Sequence, residues 1–162
     1  MSLEKHHGGW VLLVTFSVSL MLAIMPLPGW AVIWRPDWVA LVLIYWCIAI
    51  PQRVGVATGW MIGILYDVLS DTLLGQHALI LCFLAYLSVK LHRQVRVFPW
   101  WQQAIFAGSL VAISELLEAW IRGAMGHPPV GWSFIYPALT SMILWPWIFI
   151  ILRDMRRTYQ VF

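Results

Sequence analysis

The residues able to do chemistry in this chain are few, and most of them are acids. Asp67 and Asp71 stand at i and i+4, with Ser70 between them. Glu118 and Arg122 stand at i and i+4 in the order that favours an ion pair. Glu115 lies one turn deeper and has no partner within its own helix; His77, Tyr66 and Arg35 are candidate partners from elsewhere. Paired carboxylates can serve as general acid and base or relay a proton. Here nothing positions a substrate beside them. There is no Gly-rich phosphate loop, no G-x-S-x-G and no H-E-x-x-H. No Cys/His spacing suits a metal, and Cys47 and Cys82 fall inside apolar runs, where a thiol acts as a small hydrophobe. We therefore expect no enzyme, cofactor or metal site. Two readings of the His77, Glu115, Glu118 and Arg122 group stand side by side. One is an internal network holding helices together. The other is a polar cavity, bordered also by Trp120, that opens to the outer face and takes a small molecule or lipid.

A second pattern concerns packing. Gly55, Gly59 and Gly63 recur every fourth residue, and Asp67 continues the series. Such a series lines one helical face, and small residues there let another backbone come close in lipid. The face, ending in Asp67 and Asp71, suits a seam for a partner helix. It suits equally a contact within one bundle.

These residues need a frame, and composition supplies it. Of 162 residues, 62% are hydrophobic and 10% charged, and the mean hydropathy is +0.81. Soluble domains carry about 25% charged residues, so lipid is the solvent that fits. Apolar segments run over 10–25, 38–50, 54–69, 74–91, 100–121 and 132–152, separated by Pro, Gly and charged residues. No small-residue cleavage site follows the first, so it reads as a retained helix rather than a signal peptide. Trp10, Trp30, Trp34, Trp100, Trp101 and Trp132 sit at segment ends, where an indole favours the headgroup level. The second and third segments are short of the ~20 residues that cross the hydrocarbon, which implies tilt, local thinning or a place partly in the interface; four crossings with these two as a re-entrant pair would keep the same orientation. With six crossings, Lys5, Arg53, Lys90, Arg93, Arg96, Arg153, Arg156 and Arg157 share one side, and Arg35 and Arg122 take the other. The positive-inside rule then puts both termini in the cytoplasm. The expectation is an all-α, polytopic, six-helix single domain over residues 1–162. Its cytoplasmic basic surface of Lys90, Arg93, Arg96, Arg153, Arg156 and Arg157 would attract anionic lipid or a protein partner. Tails this short offer no element for reading nucleic acid.

Several stretches carry a family resemblance. Arg35-Pro36-Asp37-Trp38-Val39 is followed by Tyr45-Trp46 and Pro51-Gln52-Arg53-Val54-Gly55. Thr58-Gly59, Gly63, Asp67, Ser70 and Leu74-Gly75 come next, then Trp101-Gln102-Gln103-Ala104 and Leu144-Trp145-Pro146-Trp147 before a basic tail. In order and spacing the chain resembles the bacterial rod shape-determining MreD family, with Asp37 and Asp71 where the resemblance would have Asn and Gly. The resemblance implies a multi-pass protein of the bacterial inner membrane, non-enzymatic, serving cell shape and peptidoglycan synthesis during cell-wall elongation. Its implied direct partner is MreC, a single-pass protein. Through MreC it would reach MreB, the glycan polymerase RodA and RodA's partner transpeptidase. The family is also similar in fold to the six-helix substrate-binding subunits of energy-coupling-factor transporters. That likeness carries the alternative of a small-molecule or lipid-binding protein. The resemblance places the turn of Arg35, Pro36, Asp37 and Trp38 on the outer face, beside the glycine seam.

Overall fold

The computed structural model describes residues 8–127 and 131–161. Among them it is all-α, with seven helices and no strand. In chain order these are α1 (Gly9–Ile24), α2 (Gly29–Val32), α3 (Trp38–Ala49), α4 (Val56–Ser70), α5 (Gln76–Arg96), α6 (Trp100–Ala124) and α7 (Ile135–Thr158). Each apolar segment of the sequence holds one of the longer helices; the single turn α2 lies in the first break. Lys5 lies outside the described residues. By length and composition, α5, α6 and α7 are able to cross a membrane, while α1, α3 and α4 are apolar but shorter.

The short α3 is covered by protein on every side. Its sequence is apolar on every side, the pattern of a helix surrounded by protein. Every residue from 39 to 48 is buried, and α1, α5, α6 and α7 all pack on it. The Trp46 indole N–H, wholly buried, donates to Thr15 Oγ1 of α1 at 3.1 Å. Twelve residues give about 18 Å of helix, against ~30 Å of hydrocarbon. A helix that short can sit at the centre because its neighbours, not lipid, cover its sides.

Its ends are the difficulty. A helix leaves N–H groups at its start and carbonyls at its end without partners, and hydrocarbon offers none. Here charged side chains close both ends. Asp37 Oδ1 accepts the Ala40 N–H at 3.2 Å, while its Oδ2 accepts from Ser114 Oγ at 3.3 Å. The Asp37 N–H donates to Ser141 Oγ of α7 at 3.2 Å. At the other end Arg96, the last residue of α5, donates from Nε to the Ile48 carbonyl at 2.9 Å and from Nη2 to that of Ala49 at 2.8 Å. Arg35 closes α1 in the same manner, donating to the carbonyl of Ala23 at 2.5 Å and to that of Met25.

Arg96 is exposed, as a basic surface requires, and its guanidinium in addition finishes another helix. Arg96→Ala should lower unfolding stability in detergent by about 1–3 kcal/mol, since two carbonyls lose a charged donor. Arg93→Ala, at an exposed position on the same last turn, should leave the thermal unfolding curve nearly unchanged.

Candidate functional site

The glycine face of α4 is occupied from within the chain. A Cβ on Gly63 would collide with the backbone of Ala78, its N lying 2.6 Å away; one on Gly59 would lie 2.8 Å from the Leu81 carbonyl oxygen. Both targets belong to α5. Gly55 is looser, with Val89 Cγ2 4.0 Å from the position of its Cβ. The seam is thus an α4–α5 contact, and α5 closes this face to a partner helix. Asp71 does not extend it. It is exposed, and as the C-cap of α4 it takes a left-handed conformation at φ 53°, a place that Gly, Asn or Asp fills at a helix end.

Asp67 closes the seam by capping the start of α5. The carboxylate is buried (1% exposed) and accepts N–H groups of Gly75 at 2.8 Å, His77 at 2.9 Å and Ala78 at 3.4 Å. Thr72 Oγ1 adds a bond at 3.0 Å. Gly75, at φ +100°, turns the chain so that these N–H groups converge. A negative group at a helix start is further favoured by the helix dipole. The fifth contact is His77 Nδ1 at 2.8 Å, which assigns the ring proton to Nδ1 because a carboxylate can only accept. His77 Nε2 then faces Glu118 Oε2 at 3.9 Å, Glu118 pairs with Arg122, and the Tyr66 ring covers His77 with centroids 4.2 Å apart. Hydrogen bonds thus join Thr72, Asp67 and His77 across α4 and α5, an ion pair joins Glu118 to Arg122 within α6, and the two groups meet at His77 and Glu118 without a hydrogen bond.

Beside this chain lies a cavity of about 70 Å³, walled in part by Arg35, Pro36, Asp37, Tyr66, His77, Ser114, Glu115 and Glu118. The structure thus joins two groups that the sequence named apart: the Arg35–Asp37 turn and the His77, Glu115 and Glu118 cluster. Trp38 points elsewhere, into a groove between α1 and α7. Arg122 reaches the cluster only through Glu118, and Trp120 is 71% exposed and off the cavity wall. The space suits a few waters and is well below the ~300–1,000 Å³ of sites for drug-sized ligands. No group of His, Cys, Asp and Glu among the described residues could hold a metal. The His77–Asp67 pair has the geometry that orients an imidazole, yet both of its partners are spent on helix ends or ion pairs. The arrangement positions helices. Sequence reasoning missed Ser141, Thr72 and the capping role of Asp37, although an Asp immediately before an apolar run is itself a helix-start signal.

The family model of rod shape-determining protein MreD matches residues 4–155. The chain belongs to the MreD family. A relative, the rod shape-determining protein MreD of Haemophilus influenzae, is 30% identical over 152 residues, covering 94% of each chain. No solved structure matches. MreD membership and the apolar helices make the chain a rod-shape-determining membrane component.

Two substitutions test the α4–α5 joint. Asp67→Asn keeps the size but halves the acceptors, and should cost about 1–3 kcal/mol in detergent unfolding, whereas Asp71→Asn should cost almost nothing. Gly63→Ala should lower the melting temperature. Gly9→Ala, whose new methyl would meet nothing within 4 Å, should not.

Proposed function

We propose that this chain is a non-enzymatic six-helix scaffold of the cell-wall elongation machinery, a single membrane domain that holds the transmembrane helix of MreC against the outward face of α4. Through MreC it gathers MreB, RodA and RodA's partner transpeptidase. Both termini lie in the cytoplasm and the domain sits in the bacterial inner membrane. The cation distribution supports that orientation. Arg53, Lys90, Arg93, Arg96, Arg153, Arg156 and Arg157 belong to one set of helix ends, and Arg35 and Arg122 to the opposite set.

The observation that carries the docking face is the position of α4. Its buried residues are Gly59, Gly63 and Asp67, all turned to α5. The opposite side presents Met61, Leu65 and Val68, each more than half exposed, at i, i+4 and i+7 on one stripe. At 15 residues the helix is about 22 Å long, short of the hydrocarbon thickness, and unlike α3 it stands at the edge of the bundle. Mismatch of this kind favours association with a neighbouring helix, and a stripe of Met, Leu and Val gives it packing contacts. The glycine seam then acts indirectly, by fixing α4 on α5 so that the stripe faces out. The small size of the polar cavity favours the scaffold over a receptor for a vitamin-sized molecule.

Photo-crosslinking residues placed at positions 61, 65 and 68 in living cells should capture MreC. The same probes at 143 and 150, exposed on α7, should not. Adducts confined to α7, or a Met61→Trp/Leu65→Trp double variant that keeps full MreC co-purification and rod shape, would remove α4 as the docking face.

A further inference from the structure

Two hydrogen-bond acceptors face each other where α5 meets α6. His77 Nδ1 donates to Asp67 Oδ1 at 2.8 Å, so in the neutral ring Nε2 carries a lone pair. That atom lies 3.9 Å from Glu118 Oε2, and a carboxylate oxygen also only accepts. The separation is too long for a hydrogen bond. It is also short for a water bridge, since a water donating two bonds of ~2.8 Å spans about 4.4 Å. Among the described residues no donor reaches Nε2, yet His77 is 9% exposed. A buried acceptor left in this way is costly.

The charges around the ring have one prevailing sign. From α4, Asp67 binds the ring and Tyr66 covers its face. From α6 come Glu118 and Glu115, with Arg122 held on the other oxygen of Glu118. The turn before α3 adds Asp37 and Arg35, and Arg35 spends its guanidinium on the carbonyls of Ala23 and Met25. Four carboxylates thus stand against two guanidinium groups, and the face of a tyrosine attracts a cation. A single proton on Nε2 answers both features. It turns one of the two facing acceptors into a donor, and it lessens the charge imbalance.

We propose that His77 Nε2 and Glu118 Oε2 form a proton-binding site that locks the α4–α5 pair to α6. A proton from water adds to the Nε2 lone pair, and no bond of the protein breaks. The imidazolium then donates from Nδ1 to Asp67 and from Nε2 to Glu118. Closing 3.9 Å to the ~2.8 Å of a charged hydrogen bond takes about 1 Å of side-chain movement. Asp67, His77, Glu118 and Arg122 then run unbroken across three helices. Loss of the proton restores the two facing acceptors and opens the joint. The lock is therefore present on the acid side of the His77 titration and lost as pH rises through it. Because Gly63 and Asp67 fix α4 to α5, the proton sets how firmly both helices are held. Any consequence for MreC rests on the docking face proposed above; the proton site does not.

Detergent unfolding at about pH 5 and about pH 8, the range over which histidine side chains change charge, tests the lock with two variants. His77→Asn keeps an amide donor for Asp67 and leaves nothing at the Nε2 position. Glu118→Gln keeps an acceptor for Arg122 and offers its amide N–H to a neutral His77, so the joint closes without a proton. On acidification the wild-type melting temperature should rise relative to both variants. A purely structural His77 would instead make His77→Asn less stable by the same amount at both pH values, and that result overturns the proposal. The ring is read directly by 15N NMR of a chain that keeps His77 as its sole histidine. Nε2 should gain its proton within this range, and Glu118→Gln should move that gain to lower pH. A ring whose proton count stays constant from about pH 5 to pH 8, or whose titration ignores Glu118→Gln, overturns it as well.

Discussion

An unpaired peptide group inside a bilayer is the constraint from which this structure follows. In water a frayed helix end costs little, because solvent takes the orphan carbonyls. In hydrocarbon each unsatisfied group costs several kcal/mol. A protein that buries a 12-residue helix at its centre must therefore bring polar side chains to both ends. Asp37 and Arg96 do so for α3, Arg35 for α1 and Asp67 for the start of α5. In each case charge sign matches helix polarity: carboxylates at starts, guanidinium groups at ends.

That pairing of sign and polarity gives several ionisable residues of this chain a structural task. An acid within a membrane segment is by default a functional candidate. Asp67 shows how the default fails. It has five hydrogen-bond donors and almost no exposure, so its charge is spent before any substrate arrives. Glu115 differs. It lines the small cavity, and no described residue hydrogen-bonds or ion-pairs with it.

The sequence made some of this legible and not the rest, for a definable reason. Hydropathy located the helices, because length and apolar content are local properties. The period-four spacing of Gly59 and Gly63 announced a close backbone contact, and Glu118 with Arg122 announced an ion pair, since both patterns lie within one helix. What spacing cannot supply is which helix stands opposite. The glycine face therefore read equally as an external seam or an internal one, and α5 decides it. The same gap hid Arg96. A cation after an apolar run reads as topology, and its bond to α3 spans 48 positions. By length alone α3 reads as a span too short for its membrane. An apolar helix with no polar face carries a different meaning: it is surrounded.

The central helix also constrains where partners can act. With α3 enclosed, the polar groups committed and the Gly59 and Gly63 face filled, little of the interior remains to recognise another molecule. Recognition moves to the lateral surface. That surface is uneven in a way a plain bundle of equal helices would not be, because α1, α3 and α4 are all shorter than α5, α6 and α7. A short helix inside the bundle leaves a recess over its flank; a short helix at the edge leaves a step. The recess lies over α3 and the step is α4. In a membrane, where apolar surface alone attracts nothing because lipid is equally apolar, such departures from a smooth cylinder let a neighbour gain packing that lipid tails fill less well. The same end-capping that permits short helices thus creates the surface features at which a neighbour can pack.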